Sequence, residues 1–191
     1  MDSLEQVVKE VIVCRLCPLS EGRKNAVPGE GQPHAEVMIV GEAPGYNEDL
    51  KGRPFVGSAG WLLNELLESI GMKRESVFIT NIVKCRPPNN RPPRISERKA
   101  CRPYLTRQLS LVKPVIVCPM GNIALNFLVG PRSIGEAHGK AMVNENVTYL
   151  PLYHPAAALY DGSLKNVLIT DFKALGMLMS AKGLKHGASQ V

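Results

Sequence analysis

Val37-Met38-Ile39-Val40-Gly41-Glu42-Ala43-Pro44-Gly45 decides the reading of this chain: an apolar run, rich in β-branched residues, that stops on a carboxylate set between glycines. Two further runs end in a comparable way. Val77-Phe78-Ile79 leads into Thr80-Asn81, and Tyr149-Leu150-Pro151-Leu152-Tyr153 leads into His154-Pro155. Such runs, separated by segments of helical periodicity, predict strands of a parallel sheet buried on both faces. Ligands of these sheets sit just beyond the carboxyl ends of the strands. A carboxylate, an amide and an imidazole are therefore expected to converge on one pocket, with the chemistry to handle a small heteroaromatic ring.

Working outward, Leu4, Val7, Val8, Val11 and Ile12 fall on one face of a helix over 3–13, which delivers Cys14 and Cys17. A Gly- and Pro-rich loop over 22–33 precedes the first strand at 36–41. Ser58 is the expected N-cap of a helix that carries Trp61, Leu62, Leu63, Leu66, Leu67 and Ile70 and ends at Gly71. The strand at 77–81 feeds a Pro/Arg-rich loop over 86–94. A helix then starts after Ser96 and runs to about Val112, kinked or delayed by Pro103.

Val115–Cys118 is the next strand, followed by a helix over 122–129 and a strand pair around Asn144-Glu145-Asn146. Ser163 is the expected cap of a last helix with Leu164, Val167, Leu168, Leu175 and Leu178 inward. The alternation predicts an α/β fold, a single-domain α/β/α sandwich around a mainly parallel central sheet, over residues 1–181. Residues 182–191 lack periodicity and read as a mobile tail.

A length of 191 residues, 45% hydrophobic and 21% charged, suits one ordinary globular domain. No stretch has the uncharged length of a membrane span, and the acidic N-terminus is unlike a signal peptide, so a cytoplasmic protein is expected. The net charge of +6 is concentrated. From Lys84 to Arg107 there are eight basic residues (Lys84, Arg86, Arg91, Arg94, Arg98, Lys99, Arg102, Arg107) against the single acid Glu97. That local excess points to a polyanionic partner, with Arg86, Arg91 and Arg94 expected on phosphate; a solvated loop with no partner is the plain alternative.

Five cysteines, an odd number in a chain without export signals, argue for ligation rather than disulfides. Cys14-x-x-Cys17 offers two thiolates from one turn, and Cys85 and Cys101 supply two more at the ends of the basic loop. Four thiolates suit tetrahedral zinc or a four-iron cluster. The fifteen residues between Cys85 and Cys101 fit the larger group better than a second zinc knuckle would. Either centre would staple both ends of an otherwise floppy cationic segment. Cys118 lies inside an apolar run and reads as core.

The Gly41–Gly45 segment is neither a P-loop nor a dinucleotide fingerprint. Downstream, Gly52-Arg53-Pro54-Phe55-Val56-Gly57 sets an aromatic amid glycines, where stacking on a ligand suits it better than core packing. Taken singly, each motif has a bland reading: a turn, a strand-end cap, a residue before proline. In combination with the four cysteines, these motifs resemble the uracil-DNA glycosylase superfamily, and within it the family-four enzymes that carry an iron–sulfur cluster. The resemblance runs from Cys14 to about Lys165, and Glu42 separates it from a neighbouring cluster-bearing family with an apolar residue there.

The resemblance implies excision of uracil from DNA by hydrolysis of the N-glycosidic bond, with a 4Fe–4S cluster on Cys14, Cys17, Cys85 and Cys101. Backbone groups of Gly41, Glu42 and Ala43 would line the base pocket and Phe55 would stack on the flipped base. Asn81 would read the N3–H and O4 edge, and His154 would lie against O2. Glu42 would activate water, stabilise the sugar cation, or both. The base must leave the helix, and Ala156–Tyr160 is the expected wedge, with Leu159 at its tip. Gly45 stands where better-known uracil glycosylases place a bulky aromatic, so exclusion of thymine would fall to Glu48 or Tyr46. The implied partner is uracil-containing DNA, single- or double-stranded, bound by a monomer without a membrane; no residue pattern names a replication or repair partner. Two other readings stand beside this one. A nucleic-acid-binding module explains the cysteines and arginines but leaves Glu42, Phe55, Asn81 and His154 without work, and a hydrolase of free nucleosides or nucleotides explains the pocket but not the basic loop.

Overall fold

A computed structural model describes residues 2–144 and 147–184. Its strands are β1 (Glu30–Gly31), β2 (Val37–Gly41), β3 (Phe78–Asn81), β4 (Ile116–Pro119), β5 (Met142–Asn144) and β6 (Val147–Tyr149), joined in one sheet in the order β1-β3-β2-β4-β6-β5. The central four run parallel, and the short edge strands β1 and β5 pair antiparallel. The helices are α1 (Leu4–Val13), α2 (Leu19–Gly22), α3 (Tyr46–Lys51), α4 (Ser58–Glu68), α5 (Ile95–Val112), α6 (Gly121–Leu128), α7 (Ile134–Ala137), α8 (Pro155–Tyr160) and α9 (Leu164–Ala181). The mainly parallel sheet between two helical layers is the expected α/β architecture.

The period of two explains both cores. Val37, Ile39, Ile79, Ile116 and Cys118 face α4 and α9, where Leu63, Leu67, Phe172 and Leu175 fill the layer. Met38, Val40, Phe78 and Val117 point the other way, onto Val7, Val11, Leu105 and Ala124 of α1, α5 and α6. Register puts Gly41 directly beside Asn81 at one end of the sheet. The third apolar run keeps its ladder beyond β6: the N–H groups of Leu150 and Leu152 donate to Val117 and Pro119. Pro151, which lacks an N–H, falls at an alternate position where none is needed. His154 therefore arrives at the same end of the sheet.

Several local expectations are corrected. The N-cap of α4 is Gly57, and Ser58 is its first helical residue. Trp61 is 70% exposed, because the inward stripe of α4 is carried by Leu62, Leu63, Leu66 and Leu67. Val8 is half-buried and Ile12 exposed, so Val7 and Val11 alone carry the buried face of α1. Pro103 does not delay α5; it lies exposed inside one continuous helix and removes one internal hydrogen bond. Ser163 makes no capping bond to α9, since its hydroxyl donates to Asp161 Oδ1 at 2.6 Å. Lys182–Leu184 close α9 through N–H bonds from Gly183 to Ser180 and from Leu184 to Met179, so the expected tail does not begin at Lys182. Residues 185–191, and Glu145 and Asn146 of the expected turn, lie outside the described residues. Among those described, no helix is long and apolar enough to cross a membrane.

Candidate active site

The carboxyl ends of β2 and β3 and the segment after β6 open on a cavity of about 450 Å³, lined by Glu42, Ala43, Phe55, Asn81 and His154 among others. That is a size suited to a small ligand. Gly41 makes it possible. A Cβ there would stand 2.3 Å from Asn81 Oδ1 and 2.8 Å from Phe55 Cζ, so any side chain would displace the two groups the cavity is built from. Asn81 is 2% exposed, and its Oδ1 is buried without a hydrogen-bond partner among the described residues. A buried acceptor left open at a cavity wall is costly unless a ligand donor fills it.

His154 is the N-cap of α8, and its Nδ1 accepts the N–H of Ala156 at 3.1 Å. Burial pushes its pKa down to about 4, so the ring is neutral at pH 7. With Nδ1 an acceptor, the proton resides on Nε2, and the ring is a donor at its other edge. Glu42 is half-buried; desolvation raises its carboxyl above the usual range, and the charge of Arg98 draws it back.

Phe55 corrects the expectation that its ring stands clear of the core. It is 5% exposed, packs with Leu62 and Leu63, and still forms part of the cavity wall. Its ring stacks on that of His154 with centroids 5.3 Å apart. Glu48 also lines the cavity, where it ties two loops together. Its Oε1 accepts the N–H groups of Val56 at 2.8 Å and Gly57 at 3.0 Å, and Oε2 accepts that of Gly45 at 3.2 Å. A Cβ on Gly45 would come within 2.8 Å of Glu48 Oε2, so the glutamate occupies the space beside that glycine. Tyr46 is 53% exposed beneath the guanidinium of Arg86.

The expected wedge is helix α8. Leu159 is 52% exposed, but the adjacent Tyr160 is 93% exposed and contributes to the cavity rim. Tyr160 was within reach of sequence reading, as the aromatic end of the same segment. On the opposite rim stand Pro87, Asn90 and Arg91. Asn89 and Asn90 adopt φ of 53° and 54°, left-handed values that asparagine tolerates better than most residues. The Asn-Asn pair between prolines was the available signal for this rim.

The basic segment is less uniformly cationic than its composition. Lys84 is 1% exposed, and its Nζ donates to Thr80 Oγ1, the Asn81 carbonyl and Gln108 Oε1 at 2.6, 2.8 and 2.7 Å. Arg91 makes a two-pronged bridge to the buried Glu97, at 2.6 and 2.9 Å. Arg107 pairs with Asp2 and Glu10 of the N-terminal segment. Arg94 and Lys99 are exposed, Arg86 lies over Tyr46 and Arg102 over Phe127. A smaller cationic surface remains, close to the cavity.

Cys14, Cys17, Cys85 and Cys101 come together around one small cavity between α1, α5 and the segment after β3. All five cysteines are free thiols, and Cys118 is fully buried in β4, its thiol pushed up to about 12 by burial. Arg23 Nη1 donates to Cys85 Sγ at 2.9 Å, and the Lys84 N–H donates to Cys101 Sγ at 3.3 Å. Donors aimed at sulfur suit thiolates. Among the described residues no group of three or more His, Cys, Asp or Glu side chains converges closely enough for a single metal ion. Four thiols around one cavity offer the donor set of a metal centre.

A model of the uracil DNA glycosylase superfamily matches residues 28–173. The chain is 49% identical to a type-4 uracil-DNA glycosylase of Sulfurisphaera tokodaii, over 92% of this chain and 84% of the relative. It is 47% identical to one of Saccharolobus solfataricus, over 95% and 89%. With one of Archaeoglobus fulgidus the identity is 44%, over 95% and 96%.

Proposed function

The chain belongs to the uracil DNA glycosylase superfamily, and from that membership and its pocket we infer an enzyme that hydrolyses the N-glycosidic bond of deoxyuridine in DNA, releasing uracil and leaving an abasic site. The observation that carries this reading is a complementary pair in one 450 Å³ cavity: an unpartnered acceptor on Asn81 and a neutral imidazole with its proton on Nε2. Uracil presents an N3–H donor and an O4 acceptor on one edge, which the Asn81 amide matches. Its O2 gathers negative charge as the glycosidic bond breaks, and His154 Nε2–H is the donor assigned to it.

Phe55 supplies the stacking face and the Gly41–Ala43 backbone closes the pocket. Glu42 faces the sugar, where a carboxylate favours the oxocarbenium-like transition state or takes a proton from the attacking water. Glu48, beside Gly45, is assigned the exclusion of the thymine methyl. Tyr160 and Leu159 are assigned to the gap left by the flipped nucleotide. We read the working form as a monomer on single- or double-stranded uracil-containing DNA. Incubation with a uracil-containing single-stranded oligonucleotide, beside free deoxyuridine, tests the substrate class. Release from the oligonucleotide alone is expected; equal release from deoxyuridine would favour a nucleoside hydrolase.

The pH profile follows from the two titrating groups. A folded pKa of about 4 for His154, against 6.5 when unfolded, means the unfolded chain takes up that proton first on acidification. The contribution of His154 to stability is thus complete above pH 6.5 and is lost between 6.5 and about 4. Catalysis should show no inflection near 6.5. Its acid limb should follow Glu42, whose pKa lies above 4.5, and should disappear in Glu42→Gln, at a lower plateau. Single-turnover rates across about pH 4 to 8 are the measurement.

Cys14, Cys17, Cys85 and Cys101 are the residues proposed to hold a 4Fe–4S cluster. When bound, the cluster supplies a covalent cross-link between the N-terminal segment and both ends of the basic loop. The purified protein should be yellow-brown, with ~4 iron and ~4 sulfide per chain; stoichiometric zinc without iron or sulfide would defeat this assignment. Cys85→Ala or Cys101→Ala should lower stability and DNA affinity before pocket chemistry.

The phosphate contacts proposed for the loop are Arg86, Arg94 and Arg91, the last oriented by Glu97. Neutralising Arg86 and Arg94 should weaken binding similarly across sequences. It should also flatten the salt dependence by roughly one unit of slope per lost contact. Unchanged affinity and slope in the double variant would remove the loop from the DNA interface.

A further inference from the structure

Phe55 has a φ of +49°, in the left-handed region that an aromatic residue rarely adopts. Its backbone also lies so close to α4 that a Cβ on Gly60 would stand 1.8 Å from the Phe55 carbonyl oxygen. Pro54 restricts its own φ and the residue before it, Arg53, not Phe55, so local sequence does not account for this conformation. The contacts that do come from Arg74, nineteen residues further along the chain.

Arg74 Nη1 donates to the carbonyl of Phe55 and to Asn64 Oδ1, each at 3.1 Å. Nη2 donates to the carbonyl of Pro54 and to Glu30 Oε1, the latter at 2.9 Å, and Nε donates to Glu30 Oε1 at 3.1 Å. All five N–H donors of a guanidinium are thereby engaged. The side chain is 13% exposed, and Glu30 is itself held by Arg53 at 2.6 Å. Two successive carbonyls gripped by one planar fork fix the peptide that aims the Phe55 ring into the cavity.

We propose that Arg74, oriented by Glu30, is a positioning residue for uracil excision: it holds the strained Phe55 backbone so that the ring is set as a platform for the flipped base. The inference rests on the uracil reading of the pocket. Arg74 touches neither base nor sugar and acts through Phe55. Lysine offers three donors from a single point and cannot reproduce the fork.

A double-mutant cycle on single-turnover uracil release tests this. Arg74→Met and Arg74→Lys should each lose about 10²-fold, the scale of a misplacement near 1 Å. In a Phe55→Ala background, Arg74→Met should cost less than about threefold, because the ring it positions is gone. If the two losses multiply in full, or if Arg74→Lys restores the wild-type rate, Arg74 serves stability or charge alone and the proposal is overturned. Phe55→Ala excising uracil at the wild-type rate would overturn the pocket reading with it, so the two failures are distinguishable. Should Arg74→Met not fold, Glu30→Gln leaves the guanidinium in place but unoriented and carries the same cycle with a smaller loss. The same non-multiplicative result is expected; full multiplication again overturns the proposal.

Discussion

Asn81→Asp is expected to lower single-turnover uracil excision by about 10⁴-fold, the range found where a site built to hydrogen-bond a substrate edge is presented with the wrong partner. Asn81 closes β3 beside Gly41, 2% exposed, with an unpartnered Oδ1. An ionised carboxylate at this depth repels uracil O4 and offers no donor. It suits instead the exocyclic amino group of cytosine, whose N4–H it accepts. Weak cytosine release is therefore expected from the variant. Measuring both bases released from matched oligonucleotides checks it. Uracil release at the wild-type rate would show that Asn81 does not read the base.

His154→Ala should reduce the chemical step by about 10²–10³, the usual worth of one donor to a developing oxyanion, while DNA affinity changes little. The bond proposed from His154 to O2 would strengthen only as charge grows, so the loss belongs in the rate rather than in binding. The same substitution leaves the Ala156 N–H without its acceptor at the start of α8 and should cost about 1 kcal/mol of stability. His154→Asn separates the two effects. Asparagine is a good N-cap and should restore most of the stability while leaving the rate low. Thermal unfolding beside single-turnover kinetics on the three proteins is the measurement. Recovery of the rate with the cap would reduce His154 to a structural residue.

The sheet was legible because its signal is local. Val37–Val40, Val77–Ile79 and Val115–Cys118 are β-branched runs buried on both faces, which leaves little choice of period. The residues that follow such runs were legible for the same reason: a strand's end is also its address at the sheet's carboxyl edge, where Gly41 and Asn81 meet His154, which follows the Tyr149–Tyr153 run. Helix ends were less legible. Ser58 and Ser163 have the composition of caps, yet Gly57 precedes α4 and Ser163 is taken by Asp161.

Partners distant in sequence escaped altogether. Composition counts Lys84 with the cationic loop, whereas three acceptors on β3 and α5 draw it into the interior. Arg107 finds Asp2 and Glu10 about a hundred residues upstream. Arg74 reaches back to Glu30, Pro54 and Phe55 across two loops. Phe55 combined both problems. Glycine neighbours suggested a ring projecting from a loop, and a remote arginine instead holds its backbone in a left-handed turn that serves core and cavity at once.

On the proposed reading, one pocket at the strand ends both recognises uracil and stabilises its departure. The most direct test is single-turnover release of uracil from a single-stranded oligonucleotide by wild type, Asn81→Asp and His154→Ala, with DNA binding measured under the same conditions. Expected are rapid excision by the wild type, binding within a few-fold for all three, and rates reduced by about 10⁴ and 10²–10³ for the two variants. Wild-type excision rates in both variants, or no uracil released by the wild type, would contradict that reading.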